Sequence, residues 1–132
     1  MHRLKYGGFD AVAHWAAPFL ESCLPPAVRV LVPVPRARLR KARFGIDAAL
    51  MLCEHLGRRT ALPVTRALAP TWWWPRHAGA PGPRKTPRFT LVCPAPGAVI
   101  VDDVLTTGST VEGALRTLGP SCVGAVTFTG VQ

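Results

Sequence analysis

The chain has 132 residues, 48% of them hydrophobic and only 17% charged, a balance that supports a buried core and excludes a disordered chain. Sixteen Lys and Arg against seven Asp and Glu leave a net charge of +9, which favours anionic ligands and surfaces. No apolar run has the length of a membrane span and Met1-His2-Arg3-Leu4-Lys5-Tyr6 lacks the apolar core of a signal peptide, so the expectation is a cytoplasmic protein without membrane insertion.

In chain order, Phe9 to Ser22 is apolar enough for a first helix, stopped by Pro25-Pro26. Val28 to Val34 reads as a first strand whose exit is stiffened by Pro33 and Pro35. A basic loop with Arg36, Arg38, Arg40, Lys41 and Arg43 follows directly. Ile46 to Arg59 then reads as an amphipathic helix, with Ile46, Leu50, Cys53 and Leu56 on one face and Ala49, Met51 and Leu52 widening it. Leu62 to Leu68 reads as a second strand. Seven prolines between Ala69 and Gly97 make that stretch irregular, with a short strand at Phe89 to Cys93. Val99 to Val101, a helix at Val111 to Leu118 and a final strand at Val123 to Thr129 complete the pattern. Without an internal repeat, residues 1–132 are expected to form one domain. Alternating strands and helices predict an α/β fold with a mainly parallel open sheet and helices on both faces.

Thirteen of the sixteen basic residues lie between Arg29 and Arg88, where Asp47 and Glu54 are the sole acids. The cluster from Arg36 to Arg43 follows a strand and reads as a basin for a polyanion: pyrophosphate, a nucleotide or a nucleic-acid backbone. Arg58, Arg59 and Arg66 read as solvated charge. Cys23, Cys53, Cys93 and Cys122 are widely separated and form no metal-binding spacing with His14, His55 or His77. They read as small apolar residues, and His14 and His55 as structural.

The richest segment is Val99-Ile100-Val101-Asp102-Asp103-Val104-Leu105-Thr106-Thr107-Gly108-Ser109-Thr110. A buried strand ends in two carboxylates, and a hydroxyl-rich turn leads into a helix. Backbone N–H groups of the turn and first helical turn suit an anion, which the helix dipole favours. Thr and Ser hydroxyls add donors, and Gly108 admits close backbone approach. Asp102 and Asp103 suit sugar hydroxyls, directly or through a bound Mg²⁺. A strand ending in Asp also fits the Walker B pattern, but the required G-x-x-x-x-G-K-[ST] loop does not occur upstream. The remaining bland alternative is a solvated turn with Ser109 as a cap.

This segment resembles the 5-phosphoribosyl-1-pyrophosphate (PRPP) signature of type I phosphoribosyltransferases. The resemblance implies a small phosphoribosyltransferase-like domain in which Asp102 and Asp103 are the catalytic pair at the ribose. It likewise implies that Thr106, Thr107, Gly108, Ser109 and Thr110 hold the 5′-phosphate, with Mg²⁺ as cofactor. Two further segments resemble the competence-protein ComF branch of that superfamily: Leu4-Lys5-Tyr6-Gly7-Gly8, and Val32-Pro33-Val34-Pro35-Arg36 followed by Arg38-Leu39-Arg40-Lys41-Ala42-Arg43-Phe44-Gly45. By that resemblance Pro35, Arg36, Arg38 and Arg43 hold pyrophosphate, and Mg²⁺ binds there too. The chain departs from the branch in lacking its zinc ribbon, as a short or truncated form, and in reading Phe44-Gly45-Ile46-Asp47 where Gly-Phe-Asn is usual. Trp72-Trp73-Trp74-Pro75-Arg76-His77 replaces its usual Gln and Arg/Asn pattern.

Two functions follow. One is an enzyme that moves a phosphoribosyl group between PRPP, or a related phosphorylated sugar, and an acceptor the sequence does not identify. The other is a non-catalytic adaptor in DNA uptake that handles single-stranded DNA beside a helicase. Trp72, Trp73 and Trp74 serve the second reading as a base-stacking platform among basic residues. Packing on the sheet or a homo-oligomer interface are their alternatives.

Overall fold

The computed structural model describes residues 2–35, 47–71, 88–105 and 108–130. Helix α1 spans His2–Ser22, starting earlier than Phe9 and running through Gly7 and Gly8 despite their low helix propensity. Strand β1, Val30–Pro33, is buried throughout. Helix α2 is Ala48–Thr60, and Asp47 caps it by accepting the Leu50 amide at 3.1 Å. Its buried side runs through Ala48, Ala49, Leu52, Cys53, Leu56 and Gly57. Leu50, expected on that face, is half-buried, and Ile46 lies outside the described residues.

The expected second strand at Leu62 to Leu68 is not one strand. Val64 makes a single parallel bridge to Leu31, supported by the Leu31 amide on the Pro63 carbonyl and the Thr65 amide on the Leu31 carbonyl, both at 2.9 Å. The chain then turns, and β2, Leu68–Pro70, pairs antiparallel with β3, Phe89–Leu91. Two short partners thus divide one apolar run, a tertiary choice that local propensity does not encode.

Strand β4 is Ala98–Leu105, helix α3 is Ser109–Leu118 and strand β5 is Cys122–Gly130. The main sheet is parallel with order β1-β4-β5. Along β4, residues alternate between two cores. Val99 and Val101 join Ala13, Ala16 and Leu20 of α1 and Leu52, Cys53 and Leu56 of α2 on one face. Ala98 and Ile100 join Ala114 and Leu118 of α3 on the other. The protein is therefore α/β, with an open parallel sheet between helices, as expected.

Candidate functional site

Strands β1 and β4 are direct neighbours, with Pro33 in register with Val101. After β1 the chain passes to α2 on one face and then to the Val64 bridge on the far side of β1. After β4 it passes to α3 on the opposite face and then to β5 on the far side of β4. The two connections diverge, which makes the carboxyl edge between β1 and β4 a topological switch point. Open α/β sheets bind ligands in that crevice because the diverging loops leave it uncovered while helix N-termini face it.

The Asp102–Asp103 pair sits on this edge, but the strand does not end at it. Strand β4 runs on to Leu105, and Asp102, only 8% exposed, is the one buried polar residue of the described set. Ionised carboxylates are costly to bury without hydrogen bonds; the Asp103 amide donates to Asp102 Oδ1 at 2.8 Å. Strand alternation puts Asp102 on the face of Ile100 and α3, and half-buried Asp103 on the face of Val101 and α2. One Mg²⁺ cannot then be chelated by both side chains while β4 keeps its pleat. The fit that remains is one carboxylate plus ligand oxygens and water, a normal set for this ion. No group of three potential metal ligands occurs among the described residues.

Helix α3 begins at the same edge. Its N-cap is Gly108, at φ 79° and ψ −3°, with no side-chain cap. The Glu112 amide donates to the Gly108 carbonyl at 2.8 Å. Ser109 and Thr110 are both half-buried in the first turn, so Ser109 is the first helical residue and not the cap. Gly108 is needed for its left-handed backbone, independently of any ligand. At the β1 side, half-buried Pro35 closes the described segment, after the Val34 amide donates to the Val101 carbonyl at 3.0 Å. Arg36, Arg38, Arg43, Thr106, Thr107 and Trp72 to Trp74 lie outside the described residues.

Thr127 is a member of this edge that sequence reasoning missed. It is half-buried on β5 and in register with Asp102, hence on the same sheet face. The Val126-Thr127-Phe128 alternation carried the signal, but only the register with β4 connects it to the acids.

Elsewhere, charge is spent on structure. Arg59 pairs with Glu21, and His55 pairs with Asp10 at 2.7 Å. Burial, aided by Asp47 and Glu54, pushes the Cys53 thiol far above its ordinary range, so it is an inert core residue. Cys93 and Cys122 are half-buried, while Cys23 is exposed, against the expectation of an apolar setting for all four. No helix among the described residues is long and apolar enough to cross a membrane. No protein-family model matches this chain, and no curated protein matches it in sequence.

Proposed function

We propose that this chain binds PRPP, or a closely related phosphorylated ribose, at the carboxyl edge of β1 and β4, as the resemblance to ComF-type phosphoribosyltransferases implies. The observation that carries the reading is the meeting of two features at one switch point: the Asp102–Asp103 step on β4, and the glycine-led, side-chain-uncapped start of α3. A sugar phosphate has hydroxyls for the first and an anion for the second.

In this reading Asp102 accepts from a ribose hydroxyl on the α3 side, with Thr127 beside it. Gly108, Ser109 and Thr110 hold the 5′-phosphate at the α3 N-terminus, with Thr106 and Thr107 before them. Arg36, Arg38 and Arg43, after Pro35, hold pyrophosphate. Mg²⁺, when bound, would neutralise pyrophosphate through its oxygens and one of the two carboxylates. These residues position the sugar and balance charge, which is the larger share of catalysis for a glycosyl transfer with a charged leaving group. No described residue takes the role of a base for an acceptor. The proposal is PRPP binding, with phosphoribosyl transfer as its enzymatic extension.

Calorimetry of the full chain with PRPP and Mg²⁺, beside ribose 5-phosphate, pyrophosphate and a single-stranded oligonucleotide, tests the proposal. Saturable PRPP binding that needs Mg²⁺ and is lost in Asp102→Asn/Asp103→Asn supports it. Equal affinity of that variant and the wild type overturns it. Oligonucleotide binding without PRPP binding selects the DNA-handling adaptor instead.

A further inference from the structure

Most of the exposed large apolar side chains among the described residues gather on one side. Among the described residues, seven large hydrophobics are exposed, and the packing of the helices shows which way they face. Strand β5 is the sheet edge, pairing only with β4 among the described strands. Helix α2 packs over β1 and β4, and α1 packs beside it over β5.

On α1, Asp10 and His14 meet His55 of α2, and Glu21 meets Arg59 of α2. Ala13, Ala16 and Leu20 face the core. At about 100° per residue, Val12, Trp15 and Phe19 fall on the flank turned away from α2, overlooking the open edge of β5. Trp15 is 63% and Phe19 58% exposed, and their rings lie 5.1 Å apart. On the other sheet face, Thr117 of α3 donates to the Phe89 carbonyl of β3. Leu115 lies on the flank away from that contact, again toward β5, and Val123 is exposed on β5 itself. Five of the seven exposed hydrophobics therefore border one strand edge.

Among the described residues no further strand pairs with this edge. Cys122–Gly130 is nine residues long and has neither a charge nor a proline, although edge strands are normally protected by both. Its one register irregularity lies at its start, opposite Ala98 and Val99.

We infer that this surface is a homodimer interface, formed by antiparallel pairing of β5 with β5 of a second copy about a two-fold axis. The occupant follows from chemistry. An antiparallel strand pair is self-complementary, so each unpaired edge amide meets a carbonyl of the same sequence. Copies of a chain with net charge +9 repel, and the exposed charges beside Leu115, Glu112 and Arg116, are paired with each other. The two α1 stripes then pack across the axis. Aromatic side chains bury roughly 150–250 Å² each, so the exposed parts of the two rings, with Val12, Leu115, Val123 and the strand edge, cover on the order of 600 Å² per copy. That is at the lower end of specific interfaces, and the dimer is one that dissociates on dilution.

Sedimentation velocity and light scattering of the full chain over a concentration series test this, under reductant because Cys23 is exposed. The expected result is a mass rising from 14.2 kDa to twice that value, with β5 amides exchanging more slowly as dimer forms. Trp15→Lys/Phe19→Lys and, separately, Val123→Lys should each weaken the dimer at least tenfold with unchanged circular dichroism. Leu91→Lys, on exposed β3, should leave it intact. Should the α1 variant unfold, Val123→Lys alone decides. A monomer at the highest soluble concentration overturns the proposal, as does a dimer indifferent to the α1 and β5 variants. Open-ended assemblies, or β5 protection that appears only with a different polypeptide, overturn it equally.

Discussion

The Val34 amide donates to the Val101 carbonyl at 3.0 Å, immediately before Asp102 in sequence. This bond extends the β1–β4 pairing past Pro33 and brings the exit of β1 level with the acid pair. Pro33 and Pro35 have no amide to give, so Val34 is the last residue of the β1 exit that can tie the two strands together before the basic loop.

The buried acid separates two effects that a single substitution mixes. Asp102→Asn keeps an oxygen for the Asp103 amide and should leave stability nearly unchanged while weakening PRPP binding. Asp102→Ala strands that amide beside a buried site, an expected loss of about 1–3 kcal/mol. Urea unfolding of both variants beside calorimetry checks the split. Equal destabilisation by Asn and Ala would show that the charge, and not the hydrogen bond, holds the strand end.

Gly108 carries a conformational demand besides any ligand demand. At φ 79°, an alanine should cost about 1–2 kcal/mol, and a β-branched valine more. The measurement is chemical denaturation without ligand. A Gly108→Ala protein as stable as the wild type would show that the α3 start adopts another backbone in solution.

Two other glycines should respond with opposite signs. Gly97 has φ 73°, and a Cβ there would meet Arg29 Cγ at 2.5 Å, so Gly97→Ala should lose about 2 kcal/mol or more through overlap and strain. Gly7 lies in α1 with nothing near a new Cβ, and Gly7→Ala should gain about 0.5–1 kcal/mol from helix propensity. Thermal midpoints read both directions in one experiment.

Acid sensitivity should include a contribution from the α1–α2 contact. The hydrogen bond with His55 holds the Asp10 carboxyl below its ordinary range, outweighing desolvation, and the charges of His55, Arg58 and His14 act in the same direction as the bond. A carboxyl depressed in the folded state stabilises it above the unfolded value and loses that contribution as pH falls through the folded value, here below about pH 4. Asp10→Asn should therefore flatten the acid side of a stability–pH curve while leaving its neutral side similar in shape. Because Asp10 is exposed, the change is small. A steeper acid limb in the variant would contradict the assignment.

Much of this protein was legible in the residues alone. The β-branched run Val99 to Val101, the spacing of Ala114 and Leu118, and the proline-marked exit of β1 are local patterns, and local sterics and burial act on them in any context. They were enough to place three strands of the parallel sheet, the helices between them, and the acid pair with its glycine-led helix as the candidate site. What tertiary structure alone decided is relative position. The run from Leu62 to Leu68 split between two sheets because its partners, Leu31 and Leu91, are distant in sequence. Asp102 became buried because β4 found a partner in β5 as far as Leu105, and register with that partner, invisible to periodicity, set Thr127 beside it. Phe9 to Ser22 read as an apolar helix with no face assigned, and Val12, Trp15 and Phe19 are exposed on it. Only the packing of α1 against α2 and β5 turned them outward, because a helix at the end of a layer has one flank with nothing to cover it.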